Sequence, residues 1–191
     1  MSAALRAAED GRLPEWAHVD PPRIEHIARV AALLEEWALA LGLDERERAR
    51  WRAAAWLHDA LRLASAAELR PLVPEPLHDL AAPLLHGPAA AALLRREGVT
   101  DEGLLSAVGY HTLGHPDLDR MGRALYAADF LEPGRTFDPL VRATLRARMP
   151  ASMDSVVPVI LRTRIIYLLR TGHAVRGETM AFWNALSHAR T

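Results

Sequence analysis

Apolar positions recur along this chain at spacings of three and four rather than two, the period of helices that bury one face. After Pro21 and Pro22, the residues Ile27, Val30, Ala31, Leu34, Ala38 and Leu41 form such a stripe, and Gly42 closes it. Asp44 is placed to cap a second helix that runs through an alanine-rich segment to about Asp59. Ser65 followed by Glu68 is a capping-box pair for a short third helix, and Pro71, Pro74 and Pro76 then impose a loop. Pro88 suits the first turn of a helix over Ala89 to Arg96, and Thr100 with Asp101 opens another that reaches about His111. The Gly- and Pro-bearing HTLGHPD is a loop, and Asp119 caps a helix that ends near Leu131, before EPGR. Further helices are predicted near Asp138 to Arg148, Asp154 to Arg170 and Glu178 to Ser187. Alternating strand patterns and internal repeats are missing. The expected fold is all-α, a single helical bundle over residues 20–187 with an N-terminal extension at 1–19.

Composition narrows the function. The 191 residues suffice for one sizeable core. The 23 basic and 24 acidic residues leave a net charge of -1, which argues against nucleic-acid binding through bulk positive charge. Every base is Arg, so a cationic phosphate contact must come from a guanidinium. With no cysteine, thiolate metal sites, disulfides and a Cys nucleophile are excluded. No stretch approaches the roughly 20 apolar residues of a membrane span, and the N-terminus does not read as a signal peptide. A cytoplasmic protein with no membrane partner is expected.

The histidines and two aspartates carry the chemistry. His58 and Asp59 sit inside AAAWLHDALRL, and Asp129 sits inside RALYAADFL. An ionised carboxylate in such apolar surroundings is costly unless something compensates it. With His26, His86 and His111 nearby in the pattern, a buried cation is the compensating group that the sequence suggests. Singly, each residue has an ordinary explanation. His58–Asp59 could be a hydrogen-bonded core pair, His86 could bond a carbonyl before Pro88, His111 could close a helix, and Asp129 could pair with Arg123. His18, His78, His173 and His188 fall outside the pattern and are expected at the surface, while Trp37, Trp51 and Trp56 are core candidates.

The order His26, then His58–Asp59, then Asp129 resembles the H…HD…D signature of HD-domain metal-dependent phosphohydrolases, an all-helical superfamily. The interposed His86 and His111 resemble the subset that holds two ions. PPRIEHIARVA, AAAWLHDALR, PLLHGPAAA and YHTLGHPDLDRMGRALYAADFLEPGR are together similar to the YqeK-type family, the symmetrical bis(5'-nucleosyl)-tetraphosphatases, over roughly residues 20–187.

That resemblance implies a ligand set and a reaction. His26, His58, Asp59 and Asp129 would hold one ion, and Asp59 would bridge to a second held by His86 and His111. Oxygen and imidazole donors together suit iron, manganese or zinc better than calcium, and two divalent or mixed-valence ions are expected, iron first and manganese or zinc after it. A hydroxide made at the ions would cleave diadenosine tetraphosphate to two ADP. Arg62, one turn beyond Asp59, is implied as a catalytic and substrate contact, with Arg23 and Arg135 as further guanidinium contacts. Thr112 and Gly114 are expected to orient the phosphate chain through a hydroxyl and an exposed N–H, and Glu132 to hold Arg135. Two departures from the family pattern touch these positions. Arg62 stands where the family has Lys, and His115, another substrate-binding candidate, stands where it has Arg. The alternatives are an HD nucleotidase for other nucleotides and a nucleotide-binding regulatory module with impaired catalysis. A homodimer is compatible with the pattern.

Overall fold

The computed structural model describes residues 2–188, with the side chain of His188 outside the described set. The described residues form ten α-helices and two 3-10 turns with no strand, as the apolar spacing predicts. The helices are α1 (Ala3–Glu9), α2 (Pro21–Ala40), α3 (Glu45–His58), α4 (Ala66–Leu69), α5 (His86–Arg96), α6 (Glu102–Tyr110), α7 (Arg120–Leu131), α8 (Pro139–Ala147), α9 (Met153–Arg170) and α10 (Gly177–His188). The proline-rich loop between α4 and α5 carries the 3-10 turns Glu75–Leu77 and Ala82–Leu84.

Side-chain caps set most of the helix starts. Asp20, Asp44, Ser65, Asp101 and Asp119 each accept an N–H from the first turn of the helix that follows. The capping box of Ser65 and Glu68 is complete. Arg50 of α3 joins two of these caps. Its Nε and Nη2 lie 2.5 and 2.9 Å from the two oxygens of Asp101, and its Nη2 lies 3.0 Å from Asp119. One guanidinium thus fixes the starts of α6 and α7 relative to α3.

Helices α3 and α7 lie at the centre. Helix α3 packs against α1, α2, α5, α6 and α7. Helix α7 buries almost all of its circumference, from Met121 to Leu131, so little of its surface is left to solvent. Ala53, Ala54 and Ala55 are fully buried on α3, and their small side chains let neighbouring backbones approach closely. Trp37 and Trp51 anchor the core, while Trp56 packs at its edge.

The sequence pattern misses α1. Seven residues make fewer than two helical turns, too short a run to display a period. Ser2 caps the helix, Ala4 and Ala8 pack inward, and Glu97 accepts from Ser2 Oγ, Ala4 N and Trp16 Nε1. The described part of the N-terminal extension, residues 2–19, therefore docks on α3 and the end of α5.

A candidate two-triad metal centre

The two aspartates come from the ends of the two central helices. Asp59 is the residue at which α3 terminates, and Asp129 lies in the last turn of α7. Both carboxylates are buried, as are His26, His58, His86 and His111. Six side chains spread over about a hundred residues of sequence therefore meet inside the bundle.

They form two groups. His26, His58 and Asp129 present ligand atoms within 4.8 Å of one another, and so do Asp59, His86 and His111. Asp59 faces both groups with different oxygens. Its Oδ2 lies 3.6 Å from the Nε2 of His26 and of His58. Its Oδ1 lies 3.0 Å from His86 Nε2 and 3.6 Å from His111 Nε2. His26 Nε2 is also 3.2 Å from Asp129 Oδ1.

The imidazole hydrogen bonds decide which ring nitrogens are ligands. The Nδ1 atoms of His58, His86 and His111 lie 2.6, 3.0 and 2.8 Å from the carbonyls of Ala55, Pro83 and Val108. A carbonyl can only accept, so each Nδ1 donates, and in a neutral ring the Nε2 lone pair is left facing the centre. Nε2 atoms approach each other at 3.4 Å between His26 and His58 and at 3.1 Å between His86 and His111. Lone pairs at that separation repel unless a cation or a proton lies between them. Imidazole nitrogens and carboxylate oxygens with tied outer nitrogens are the donor set of a divalent transition metal, so these residues fit such ions.

The electrostatics agree. Burial pushes the His58 imidazole down to about 4, with His111 and His26 adding to the effect, and burial likewise lowers His86. Both rings stay neutral and able to ligate. Burial also opposes charge on His26, but hydrogen bonds to Asp129 and Glu132 outweigh it and hold this ring above its ordinary value. Burial works against ionised Asp59 and Asp129 as well. Both nevertheless stay well below the usual carboxylate range, Asp129 through its hydrogen bond with His26 and the charge of Arg135.

Glycines admit the close approaches. A Cβ on Gly87 would lie 2.9 Å from Val108 O and 3.2 Å from His111 Cε1, so its absence lets α5 bring His86 to His111. A Cβ on Gly134 would overlap the guanidinium of Arg29. That space lets Arg29 Nε reach Glu132 Oε2 at 2.6 Å, while Glu132 Oε1 accepts from His26 Nδ1 at 3.2 Å. Glu132 is held down to about 2, against the effect of burial, by His26, Arg29 and the Gly134 N–H.

The remaining sequence candidates are placed unevenly. Arg23 Nη1 donates to Asp59 Oδ2 at 2.8 Å, and Arg135 Nη2 donates to Asp129 Oδ1 at 2.6 Å. Asp129 therefore pairs with Arg135 rather than with Arg123. Both guanidiniums line a cavity of about 280 Å³ that also reaches His26. Arg62 lies in the turn after Asp59, where its charge disfavours protonation of His86. The Thr112 hydroxyl is 3.0 Å from His111 Nε2. Gly114 is not the exposed donor expected of it: its N–H donates to Tyr110 O at 2.7 Å. It has φ 75°, and a Cβ there would drive into the Phe182 ring, so turn geometry and packing explain this glycine. His115 stacks on Tyr110 and lines a separate cavity between α5 and α6. Glu132 holds His26 and Arg29 more closely than Arg135, whose Nε is 3.6 Å away. Arg29 escapes sequence reading, although its position three residues after His26 puts it on the same helix face.

Comparison with known proteins gives one answer. The profile of the HD domain family matches residues 23–134. The chain is 27% identical to the symmetrical bis(5'-nucleosyl)-tetraphosphatase of Halalkalibacterium halodurans, over 88% of this chain and 91% of the relative. It is 26% identical to the protein so named in Staphylococcus aureus, over 99% of this chain and 95% of the relative, and 27% identical to that of Bacillus subtilis, over 86% and 89%. Its fold superimposes on the crystal structure of a predicted HD superfamily hydrolase involved in NAD metabolism from Clostridium acetobutylicum. The TM-score is 0.77 and the identity 23%, over 91% of this chain and 92% of that one.

Proposed function

The chain belongs to the HD domain family, and from that membership we propose that it is a metal-dependent hydrolase that splits dinucleoside tetraphosphates, diadenosine tetraphosphate first among them, into two nucleoside diphosphates. The observation that carries this reading is the Asp59 carboxylate, which addresses two triads with separate oxygens. The substrate assignment rests on three relatives of one named activity that match nearly end to end. The hydrolase unit is residues 20–187, with residues 2–19 of the N-terminal extension packed on it.

His26, His58, Asp59 and Asp129 would hold one ion, and Asp59, His86 and His111 a second, iron being the first choice and manganese or zinc the others. Bound there, divalent cations supply Lewis acidity toward water and toward a phosphoryl oxygen. The chain's own residues supply position and charge. Asp59 and Asp129 fix the cluster, and the carbonyls of Ala55, Pro83 and Val108 keep the Nδ1 protons of three imidazoles out of it. Arg23 and Arg135 border the cavity beside the cluster, where guanidiniums can neutralise a polyphosphate chain and charge on the leaving group. Arg62 and the Thr112 hydroxyl complete the set. In the overall reaction the bond from the bridging oxygen to one inner phosphorus breaks. Water oxygen joins that phosphorus, and the bridging oxygen leaves with the other diphosphate.

Incubation with diadenosine tetraphosphate and manganese or iron tests the reading. ADP as the sole product supports it. ATP with AMP rejects symmetric cleavage, turnover confined to other nucleotides makes the chain a different nucleotidase, and nucleotide binding without any turnover makes it a regulatory module.

A further inference from the structure

A third cavity lies beyond Arg135. It holds about 500 Å³ between the segment leading into α8 and the outer face of α9, a size that suits a small ligand. Asp129 and Arg135 form one wall, and Phe137, Arg142, Arg164 and Tyr167 form much of the rest. Arg142 is 6% exposed, and its Nε and Nη1 are buried without a hydrogen-bond partner. Phe130 and Phe137 lie 4.1 and 5.1 Å from its guanidinium carbon. Aromatic rings cover the faces of the cation and offer its N–H edge no acceptor. Burial, with Arg135 nearby, holds this guanidinium below its ordinary pKa. A buried cation with unpaired donors is costly, and an anion in the cavity would relieve that cost. Phe137 and Tyr167 leave much of their rings in solvent, at 53% and 61% exposed, and rings so placed can stack on a base.

We propose that Arg142 anchors a phosphate of a nucleoside diphosphate in this cavity, with the base against Phe137 and Tyr167. The inference rests on the reading above in one respect: the nucleoside diphosphate would be one half of the dinucleotide. Arg142 then acts through binding, and its loss weakens ligand affinity without disturbing the six candidate metal ligands.

Calorimetric titration of the full chain with ADP, pyrophosphate and adenosine tests it. Arg142→Met should weaken ADP and pyrophosphate alike by about tenfold or more and leave metal content unchanged. Phe137→Ala and Tyr167→Ala should weaken ADP several-fold and leave pyrophosphate unaffected, which separates a nucleotide subsite from a simple phosphate site. Should Arg142→Met fail to fold, the two exposed-ring variants decide alone. The proposal is overturned if ADP does not bind the unaltered chain, if Arg142→Met binds it as tightly, or if both ring variants bind it unchanged. Titration does not depend on turnover. A chain that leaves diadenosine tetraphosphate intact yet shows this ADP pattern refutes the hydrolase and keeps the subsite, and cleavage with unchanged ADP binding in all three variants does the reverse.

Discussion

His86 and His111 turn their Nε2 atoms toward each other across 3.1 Å, and each has its Nδ1 proton committed to a backbone carbonyl. Two lone pairs in that position call for a cation. Withdrawal of metal by a chelator should therefore lower the melting temperature, and manganese should restore it. At a hundredfold excess over the dissociation constant, a bound ion contributes about 2.7 kcal/mol. A melting curve indifferent to chelator and to added metal would contradict the assignment.

Asp59 is the residue that both triads share. Asp59→Ala should bring bound transition metal, measured by elemental analysis, from about two ions per chain to background, and nucleotide turnover with it. Retention of full metal content would disprove the bridge.

Glu132 acts one step away from the proposed ligands. It accepts from His26 Nδ1 and from Arg29, so Glu132→Ala releases the ring that faces Asp129. Metal affinity should fall by about 10- to 100-fold, the usual effect of losing such an outer partner. Metal titration of the folded variant reads this directly, and Arg29→Ala should give a smaller loss in the same direction.

Gly87→Ala tests the close approach of α5 and α6. The added methyl meets two carbonyls of α6 at 2.9 and 3.0 Å, so the helices must part. A loss of about 1–3 kcal/mol in denaturant unfolding is expected, together with weaker retention of the ion assigned to His86 and His111.

How far these features could be read in advance depended on their locality. Helix starts were legible because caps such as Asp44, Asp101 and Asp119 act within their own first turn. The set of buried His and Asp was legible because ionisable residues inside apolar runs stand out. The partner of His26 was not, since Glu132 lies 106 positions away and only packing brings them together. The packing of Gly114 was hidden for the same reason, since Phe182, which its missing Cβ accommodates, comes from the far end of the chain. Arg142 gave no signal among 23 arginines until its burial was known.

Acid stability should depend on Asp101. Arg50 first, then the N–H groups of α6, holds its carboxyl below the ordinary range, against partial burial. A carboxylate lowered on folding stabilises the native state fully above its unfolded pKa of about 3.9, and that contribution fades as pH falls through the lower folded value. Asp101→Asn should therefore cost stability at neutral pH, and the gap between variant and unaltered chain should narrow in unfolding curves below about pH 4. A gap that stays constant down to pH 2 would rule this out.

The carbonyl three residues upstream holds the ring of His58, of His86 and of His111, by one local arrangement used three times. These imidazoles carry their own aiming device, so substitutions in neighbouring side chains have little leverage on where they point. His26 alone among the four gives its Nδ1 to another side chain. Changes around Glu132, Arg29 and Gly134 can thus retune the first triad while the second keeps its geometry, which makes that corner the place where relatives with different metal preferences could diverge.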